Sequence, residues 1–400
     1  MQDFLRKFDR AIWTRNLVMF AVASFLLRFG QGLLNGARIN FFVDTLGLTS
    51  SQVLWLEGVR ELPGLVLIFI AALTMLLPLA RRAAVSVLLM GVGYMLFAFV
   101  GSYSALLAAV ILASIGFHMW TPLNSAIGMS LASKENAGRV LGLLSSVGSL
   151  ASIIGMIAIS VISGLFTSMP LGNYYMVGGI VIVIGALFIF RLPANVGSTD
   201  VKPSRIVVKR RYWLYYVLIF FSGARKLVLG SFVTLVLVQD FDLKVWQVST
   251  LTLIASILNL LLAPRLGALI DHLGERITTP IAYSAMAIAC LGYATVSNLW
   301  ILLAFWFLIK LAQPLAMGLS TYVYRTAPPE ELAPTLSAGV TFDHISSVSV
   351  PFLVGALLPV IQYKGVFLAS SALILISIPF ARALQVRVDP VQQTALAAAD

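Results

Sequence analysis

The stretch GALIDHLGER, residues 267–276, joins two long apolar runs, and the interpretation of the chain begins from it. The flanking runs, 249–270 and 277–296, are each about as long as a bilayer-spanning helix, which needs roughly 20 residues. A short joint with charged residues and a glycine between two such runs predicts two membrane-spanning helices connected by a tight turn. The stretch therefore predicts a helical hairpin in a membrane rather than a loop of a soluble domain.

The composition extends this prediction to all 400 residues. Apolar types make up 60% of the chain and charged types only 11%, whereas soluble domains average about a quarter charged residues. This excludes a soluble enzyme, and the single cysteine, Cys290, excludes a disulfide framework. The pattern predicts an all-α integral membrane protein with twelve transmembrane spans at 17–43, 52–79, 83–101, 104–131, 139–165, 174–192, 212–238, 249–270, 277–296, 299–321, 337–361 and 364–384.

Basic residues predict the side of the membrane on which each joint lies. Of the 27 Lys and Arg residues, nineteen fall in one set of alternate joints or at the span ends beside them, two in the opposite set and six in the span interiors. Because Lys and Arg concentrate on the cytoplasmic side, both termini of this multi-pass cell-membrane protein are predicted to be cytoplasmic. Orientation thereby explains the net charge of +11, and we expect no nucleic-acid partner.

The spans divide into two sets of six that share a repeat. We predict an N-terminal bundle at 1–192, a cytoplasmic linker at 193–211 and a C-terminal bundle with a short tail at 212–400. Joints in the two halves correspond at an offset of 195 residues, which pairs Leu48 with Leu243, Gln52 with Gln247, Arg81 with Arg276 and Glu135 with Glu330. Three joints with one offset indicate duplication, and two pseudo-symmetric six-helix bundles are the layout of transporters that rock around a central site.

With this layout and the stretch at 267–276, the chain resembles the major facilitator superfamily of secondary transporters. The stretch follows that family's loop pattern G-x-x-x-D-R-x-G-R-R and departs from it at His272 and Glu275. The resemblance implies that this loop latches the two halves on the cytoplasmic face, with Asp271 and Arg276 in that role. A tight turn that uses Gly274 is the alternative.

The first-half joint departs further from the family. It reads ALTMLLPLARR at 72–82 and lacks the acid and both glycines, which puts a first-half latch in doubt. The family's proton-antiporter patterns in spans 4 and 5 are also missing, so a drug exporter of the usual type is less favoured.

Ionisable and polar residues inside the spans are the candidate site. Each costs several kcal/mol at the span centre unless it has a partner or a water-lined cavity. At 1.5 Å per residue, Arg28, Arg225 and Lys310 lie about 16–20 Å into spans 1, 7 and 10. By the resemblance, spans 1, 4, 7 and 10 line the central cavity. The predicted substrate-binding residues are Arg28, Gln31, Asn35, His118, Asn124, Arg225, Lys226, Lys310 and Gln313.

Part of this set forms a polar stripe on span 1. Arg28, Gln31, Asn35 and Arg38 fall within an arc of about 80° at 100° per residue. Two roles for this stripe stay open: it lines the central cavity, or it packs against a neighbouring helix. The six basic residues in the spans oppose three acids, and this excess favours an anionic solute, for which Arg offers two parallel hydrogen bonds. One central Arg in each half is similar to the organophosphate antiporters of the superfamily.

A second set of polar residues is predicted to couple or gate transport. An Arg38 pairing with Glu57 or Glu61 would hold two helices together, and an outer gate or a proton-carrying acid is the alternative. The full coupling or gating set is Arg38, Glu57, Arg60, Glu61, Asp343, His344, Asp271 and Arg276. Glu57, Glu61, His118 and Asp343 are unranked candidates for carrying a proton.

These observations predict a secondary active transporter that moves a small anionic or amphipathic solute by rocker-switch alternating access, as a symporter, an antiporter or an exchanger. A lipid or lipid-linked-sugar transporter of the same fold is the alternative. We expect no enzyme, cofactor or metal, because the chain has no Asp-x-x-Asp or His-Glu-x-x-His motif. The expected partners are a small-molecule substrate, membrane lipid and protons, with the protein as a monomer.

Overall fold

A computed structural model describes residues 13–74, 76–132, 137–196 and 208–384. The predicted cytoplasmic ends of the chain, residues 197–207 of the predicted linker and Glu135 of the repeat lie outside these ranges. Every regular element in the described ranges is helical. The α-helices are α1 Arg15–Asn40, α2 Ser50–Leu65, α3 Leu67–Leu73, α4 Leu79–Leu96, α5 Tyr103–Ser130, α6 Ala137–Leu165, α7 Leu171–Phe190, α8 Trp213–Leu227, α9 Val233–Phe241, α10 Val245–Leu273, α11 Glu275–Thr295, α12 Leu299–Ala312, α13 Gly318–Thr326 and α14 Pro329–Arg382.

Short turns of other helix types extend several α-helices. Two five-residue π-helical turns, Phe41–Thr45 and Val228–Phe232, follow α1 and α8. Three 3₁₀ turns lie at Phe97–Phe99, Arg210–Tyr212 and Gln313–Met317. Within the described residues, ten helical segments are long and apolar enough to cross a bilayer, so the prediction of an all-α membrane protein is confirmed, whereas the number twelve stays a prediction.

The second predicted span is not one of the ten because its helix is interrupted. Its residues form the 16-residue α2 and the seven-residue α3, with a turn at Val66 between them. Pro63 lacks the backbone N–H that would bind the carbonyl oxygen of Val59, so the helix is weakened in the turn just before α2 ends.

The eleventh and twelfth predicted spans fall in one helix, α14, which has 54 residues. A straight helix of that length would extend about 80 Å, more than twice the roughly 30 Å hydrocarbon core. Gln362 breaks it with φ 55° and ψ −179°, a backbone conformation that is strained for a residue with a side chain. The break lies in the predicted joint between 361 and 364.

The sequence repeat has a structural counterpart at the start of α2 and α10. The side-chain oxygen of Gln52 accepts from the backbone N–H of Thr49 at 2.9 Å, and that of Gln247 accepts from the N–H of Lys244 at 2.8 Å. Each is the Gln half of a capping box, which holds the first turn of a helix. The repeated glutamine is therefore a helix-start signal in both halves.

The residue before each repeated leucine adopts the same left-handed conformation. Gly47 has φ 60° and Asp242, at the offset of 195, has φ 55°. Asp is one of the few residues with a side chain that tolerate this region, so Gly and Asp can serve the same turn.

The chain forms two compact units, and the predicted bounds of the two bundles and the linker stay a prediction. Within the described residues, the first is built from 13–47, from the described part of 59–196 and from 243–253, and the second from 48–58, 208–242 and 254–384. Each half contributes one short segment to the other unit: Leu48–Gly58 belongs to the second unit and Leu243–Leu253 to the first. These two segments correspond to each other at the repeat offset of 195 residues. These two segments are called the exchanged segments below.

Hydrogen bonds hold each exchanged segment in its unit. In the first unit, Asn40 donates to the carbonyl oxygen of Leu243 at 2.8 Å, and the hydroxyls of Ser160 and Thr250 lie 2.5 Å apart. In the second unit, the Ser50 hydroxyl donates to Gln239 at 2.7 Å and also contacts the Tyr363 hydroxyl.

Small residues bring helices together in the first unit. A Cβ added at Gly32 of α1 would lie 2.3 Å from the carbonyl oxygen of Ser152 on α6, and one at Gly155 would lie 2.3 Å from that of Phe29. Only glycine allows two backbones to approach this closely.

In the second unit, Gly223 of α8 lies against the carbonyl of Asp343 on α14, where a Cβ would be 2.3 Å from the oxygen. This close approach fixes the position of α8 beside α14. The thiol of Cys290, the single cysteine, is fully buried on α11 of the same unit.

The repeated arginines Arg81 and Arg276 each bind the end of the last helix in their half. Arg81 donates to the carbonyl oxygen of Phe190 and its guanidinium lies 4.5 Å from the Phe190 ring centre. Arg276 Nε donates to the carbonyl oxygen of Arg382 at 2.9 Å. A cation at the end of a helix stabilises carbonyls that lack an intrahelical partner, so the two residues have equivalent roles.

Candidate functional site: polar residues inside the spans

Arg28 is the central charged residue of the first unit. It is exposed midway along α1, and its Nη1 donates to the side-chain oxygen of Gln31 at 3.3 Å. Gln31 is only 8% exposed and points its amide at the sulfur of Met90, 3.4 Å away. Gly148 of α6 lies beside the Arg28 side chain, since a Cβ there would be 3.2 Å from Arg28 Cγ. A neutral amide is therefore the hydrogen-bond partner of this guanidinium.

The remaining residues of the predicted stripe are accessible to different degrees. Asn35 is exposed, and Arg38 and Asn124 are half-buried. The structure thus places Arg28 and Asn35 on the accessible face of α1, with Gln31 turned inward.

A second polar group in the first unit joins α2 and α5. Glu61 and His118, which are 6% and 8% exposed, lie with Oε2 and Nε2 3.9 Å apart. Arg60 Nη2 donates to the other Glu61 oxygen at 3.1 Å. His118 Nδ1 lies 3.0 Å from both the hydroxyl and the carbonyl oxygen of Ser114, and the Ser114 hydroxyl donates to the Arg60 carbonyl. Three of the predicted residues are brought together here.

Arg225 is the central charged residue of the second unit and is almost completely buried, with 3% exposed. Its guanidinium carbon lies 4.0 Å from the centre of the Tyr283 ring. Within the described part of the chain, neither Nη1 nor Nη2 of Arg225 has a hydrogen-bond partner, and neither does the Tyr283 hydroxyl. The aromatic face attracts the cation but leaves its donors unsatisfied.

The neighbouring Lys226 has an acidic partner. Its Nζ lies 3.6 Å from Asp343 Oδ2 on α14, and both side chains are partly exposed. Arg225 and Lys226 point in different directions, as the helical spacing predicts, because successive residues are separated by 100° around the helix. The positive charge of Lys226 is thereby compensated, whereas Arg225 has no ion-pair partner among the residues that the structure describes.

Lys310 contacts the backbone of span 7. Its Nζ donates to the carbonyl oxygen of Leu229 at 3.1 Å and lies 3.5 Å from that of Gly230. Both carbonyls belong to the π-helical turn Val228–Phe232, and the Trp306 ring centre is 5.3 Å away. Gln313, the other predicted residue of this span, begins the 3₁₀ turn that follows α12 and is half-buried.

The predicted latch residues are exposed around the joint at 267–276. Asp271 accepts from Arg325 Nη2 at 2.6 Å, and Arg325 Nη1 lies 3.4 Å from the carboxylate of Glu275. Glu275 is 1% exposed and follows Gly274, whose φ of 75° ends the turn. Asp271 and Arg276 thus make contacts within one unit, and their role as a latch stays a prediction.

Two further predicted residues are buried on the helices already described. Glu57 lies on α2, in the exchanged segment Leu48–Gly58, and His344 lies on α14. Sequence reasoning missed Tyr283, Ser114 and Arg325. The second unit also contains a cluster that was not predicted, in which Glu331 accepts from Lys209 at 2.5 Å, from Tyr212 at 2.8 Å and from Arg211.

Comparisons with known proteins support a single family. Residues 20–296 and 214–400 match the model of the Major Facilitator Superfamily. No curated protein sequence matches the chain.

Solved structures share the fold at low sequence identity. The nucleoside transporter NupG is 14% identical with a TM-score of 0.74, covering 93% of this chain and 99% of its own. A bacterial homologue of the human lysosomal transporter Spinster is 14% identical with a TM-score of 0.69, and the match covers 91% of this chain and 95% of the homologue. A POT family transporter in complex with a thioalcohol-conjugated peptide is 10% identical with a TM-score of 0.71, and the match covers 91% of this chain and 95% of that transporter.

Proposed function

Because the chain belongs to the Major Facilitator Superfamily and is a multi-pass membrane transporter, we propose that it moves a small anionic or amphipathic solute by alternating access. The likeness to solved transporters concerns the fold, so the solute has to be inferred from this chain's own residues. Enzymatic chemistry has no place in this proposal.

The buried guanidinium of Arg225 is the observation that carries the proposal. Transfer of an unpaired ion out of water costs several kcal/mol even after the protein relaxes. A cation–π contact such as the one with Tyr283 returns about 2 kcal/mol when it is desolvated. Both terminal nitrogens remain available to a carboxylate, sulfonate or phosphate, which can accept two parallel hydrogen bonds from an arginine. An anionic group of the solute would complete the site.

The other cations in these spans are engaged within the protein. Lys226 lies beside Asp343, and Lys310 donates to carbonyls of the π-helical turn. Arg28, whose hydrogen-bond partner Gln31 is neutral, is the second residue suited to an anion. The anionic solute is therefore assigned to Arg225 first and to Arg28 second.

The exchanged segments support alternating access. Each half of the chain contributes one short segment to the other unit at repeat-equivalent positions. Hydrogen bonds such as those of Ser50 and Asn40 hold these segments in the units that they join. Contacts of this kind can form and break as two repeats rock around a site.

Ligand-induced thermal stabilisation tests the anion site, because a ligand that binds the folded state raises its apparent stability. The panel consists of benzenesulfonate and phenyl phosphate, with neutral benzamide and cationic benzylammonium as size-matched controls. We expect the two anions to stabilise the wild type and to lose this effect in Arg225→Gln, while Arg276→Gln, which alters an exposed arginine, retains it. Unchanged anion binding in both Arg28→Gln and Arg225→Gln would refute the anion site. Stabilisation by neutral amphiphiles or lipids alone would favour the lipid-transporter alternative.

A further inference from the structure

The short 3₁₀ turn that precedes α8 has two different faces. Because a 3₁₀ helix has three residues per turn, side chains three positions apart lie on the same face. Lys209 and Tyr212, one such pair, both donate to the carboxylate of Glu331 on α14, at 2.5 Å and 2.8 Å. Arg210 and Trp213 are the other pair, and both side chains are exposed. One face of the turn is therefore bound to α14, and the other is accessible.

The turn carries more positive charge than its carboxylate balances. Arg211 also pairs with Glu331, so this single acid has two cationic partners. With Lys209 and Arg210 included, the three cations and one carboxylate of this cluster leave a net charge of +2. The sequence from 202 to 211 contains five basic residues and no acid. A negatively charged partner would complement this end of α8.

An exposed apolar surface continues along α8 from the accessible face of the turn. Trp213 and Phe220 are both exposed, and residues seven positions apart lie on one face of an α-helix. The Phe380 ring of α14 packs edge-on against Trp213, with the ring centres 6.3 Å apart. Tryptophan at the end of a membrane-spanning helix lies at the level of the lipid headgroups. Arg210, one turn before Trp213, is thereby placed where a lipid phosphate would lie.

We infer that Arg210 and Trp213 form a binding site for an anionic phospholipid of the surrounding membrane. The Arg210 guanidinium donates to oxygens of the headgroup, and an acyl chain lies along Trp213 and Phe220. The hydrogen bonds to Glu331 hold the turn in place without the lipid, so binding requires little further ordering. The site is on the exposed surface of the second unit, whereas Arg225 is buried, so it does not depend on the transported solute.

Fluorescence quenching in membranes of defined composition tests this site on the full-length protein. The vesicles consist of dioleoylphosphatidylcholine with an equal mole fraction of either phosphatidylglycerol or phosphatidylcholine that carries brominated chains, since bromine quenches a tryptophan that it contacts. The chain has seven tryptophans, so the Trp213 signal is obtained as the difference from the same protein carrying Trp213→Phe. We expect the relative binding constant at Trp213 to favour phosphatidylglycerol about fivefold, the effect of one basic side chain near a membrane surface.

Arg210→Gln should abolish this preference, and two matched controls separate the site from general electrostatics. Arg211→Gln removes the same charge one position away, from a side chain that is directed at Glu331, and should retain the preference. Trp300 is exposed at the start of α12, after a joint with no basic residue. Its signal, isolated with Trp300→Phe, should not distinguish the two brominated lipids.

Equal quenching of Trp213 by the two lipids in the wild type would overturn the site, and so would a preference that persists in Arg210→Gln. An equal loss of preference in Arg211→Gln would show a response to net charge alone and would refute the role of Arg210. Thermal unfolding establishes that each variant is folded, and Arg210→Ala gives the same comparison should Arg210→Gln not fold. Arg210→Gln should keep its stabilisation by benzenesulfonate, so the lipid site and the anion site are tested separately.

Discussion

The two central arginines, Arg28 and Arg225, lie in the first span of their respective halves but in different surroundings. Arg28 is exposed and donates to Gln31 on its own helix. Arg225 is buried over the Tyr283 ring, and its terminal nitrogens have no hydrogen-bond partner in the described residues. The repeat offset pairs Arg28 with Gly223 rather than with Arg225. The duplicated scaffold thus carries chemistry that is not duplicated.

The difference indicates where the free energy of anion binding would reside. An accessible guanidinium exchanges water for the ligand and gains little, as surface ion pairs do. A buried guanidinium has already lost its water, so an anion restores hydrogen bonds that are otherwise missing. Each prediction below alters one side of this comparison.

The largest effect is expected for Arg225→Gln. We expect anion binding to weaken about 100-fold, because truncation of one partner of a buried charge pair costs about 2–5 kcal/mol. In Arg225→Lys the affinity for the anion should fall about tenfold, since lysine cannot donate two parallel hydrogen bonds from a planar fork. The affinity of each variant is measured by the benzenesulfonate concentration that gives half-maximal thermal stabilisation. Retained affinity in Arg225→Gln contradicts the assignment.

Arg28→Gln should weaken anion binding by about tenfold, or roughly 1.4 kcal/mol, because water screens its charge. The benzenesulfonate titration of thermal stabilisation measures the affinity of Arg28→Gln and of Arg225→Gln side by side. A loss equal to that of Arg225→Gln would mean that the two arginines contribute equally, and the comparison would no longer hold.

Tyr283→Leu should lower the thermal stability of the ligand-free protein by about 1–2 kcal/mol through loss of the cation–π contact. Tyr283→Phe should be nearly neutral, because the hydroxyl has no hydrogen-bond partner in the described residues. In an Arg225→Met background the effect of Tyr283→Leu should fall, which a double-mutant cycle measures. Equal effects in both backgrounds would show that Tyr283 acts by packing alone.

The smallest effect is expected for Gly148→Ala. The new Cβ would lie 3.2 Å from Arg28 Cγ, so the flexible side chain has to shift slightly. Anion binding should change no more than threefold, under about 0.7 kcal/mol. Gly142→Ala on the same helix is the matched control, since a Cβ there meets no atom within 4 Å. A change of similar size in Gly142→Ala would exclude an effect through Arg28.

Much of the framework could be predicted because it depends on local sequence. Long apolar runs indicated an all-helical membrane protein, and the glutamines at 52 and 247 indicated a repeated joint, which the structure explains as a helix cap. The turn before it was less visible, since Gly47 and Asp242 share a conformation but not a residue type.

The candidate site was harder to predict because its contacts are long-range. Lys310 was predicted as cavity lining, but nothing in the sequence marks the π-helical turn whose carbonyls it contacts. Tyr283 lies in an apolar run with no polar pattern, and only the fold brings its ring over Arg225. Asp271 was found by its motif, whereas its partner Arg325 is 54 residues away and follows no spacing rule.

The buried thiol of Cys290 makes this chain well suited to spectroscopic labelling. It is the single cysteine and has no exposed surface, so a thiol-reactive spin label or fluorophore should leave the native protein unmodified. A cysteine pair introduced on the exchanged segments, for example at the exposed Trp55 and Trp246, would then be the attachment point for both probes. Interprobe distances could be followed during transport without first replacing a native residue in the tightly packed α11.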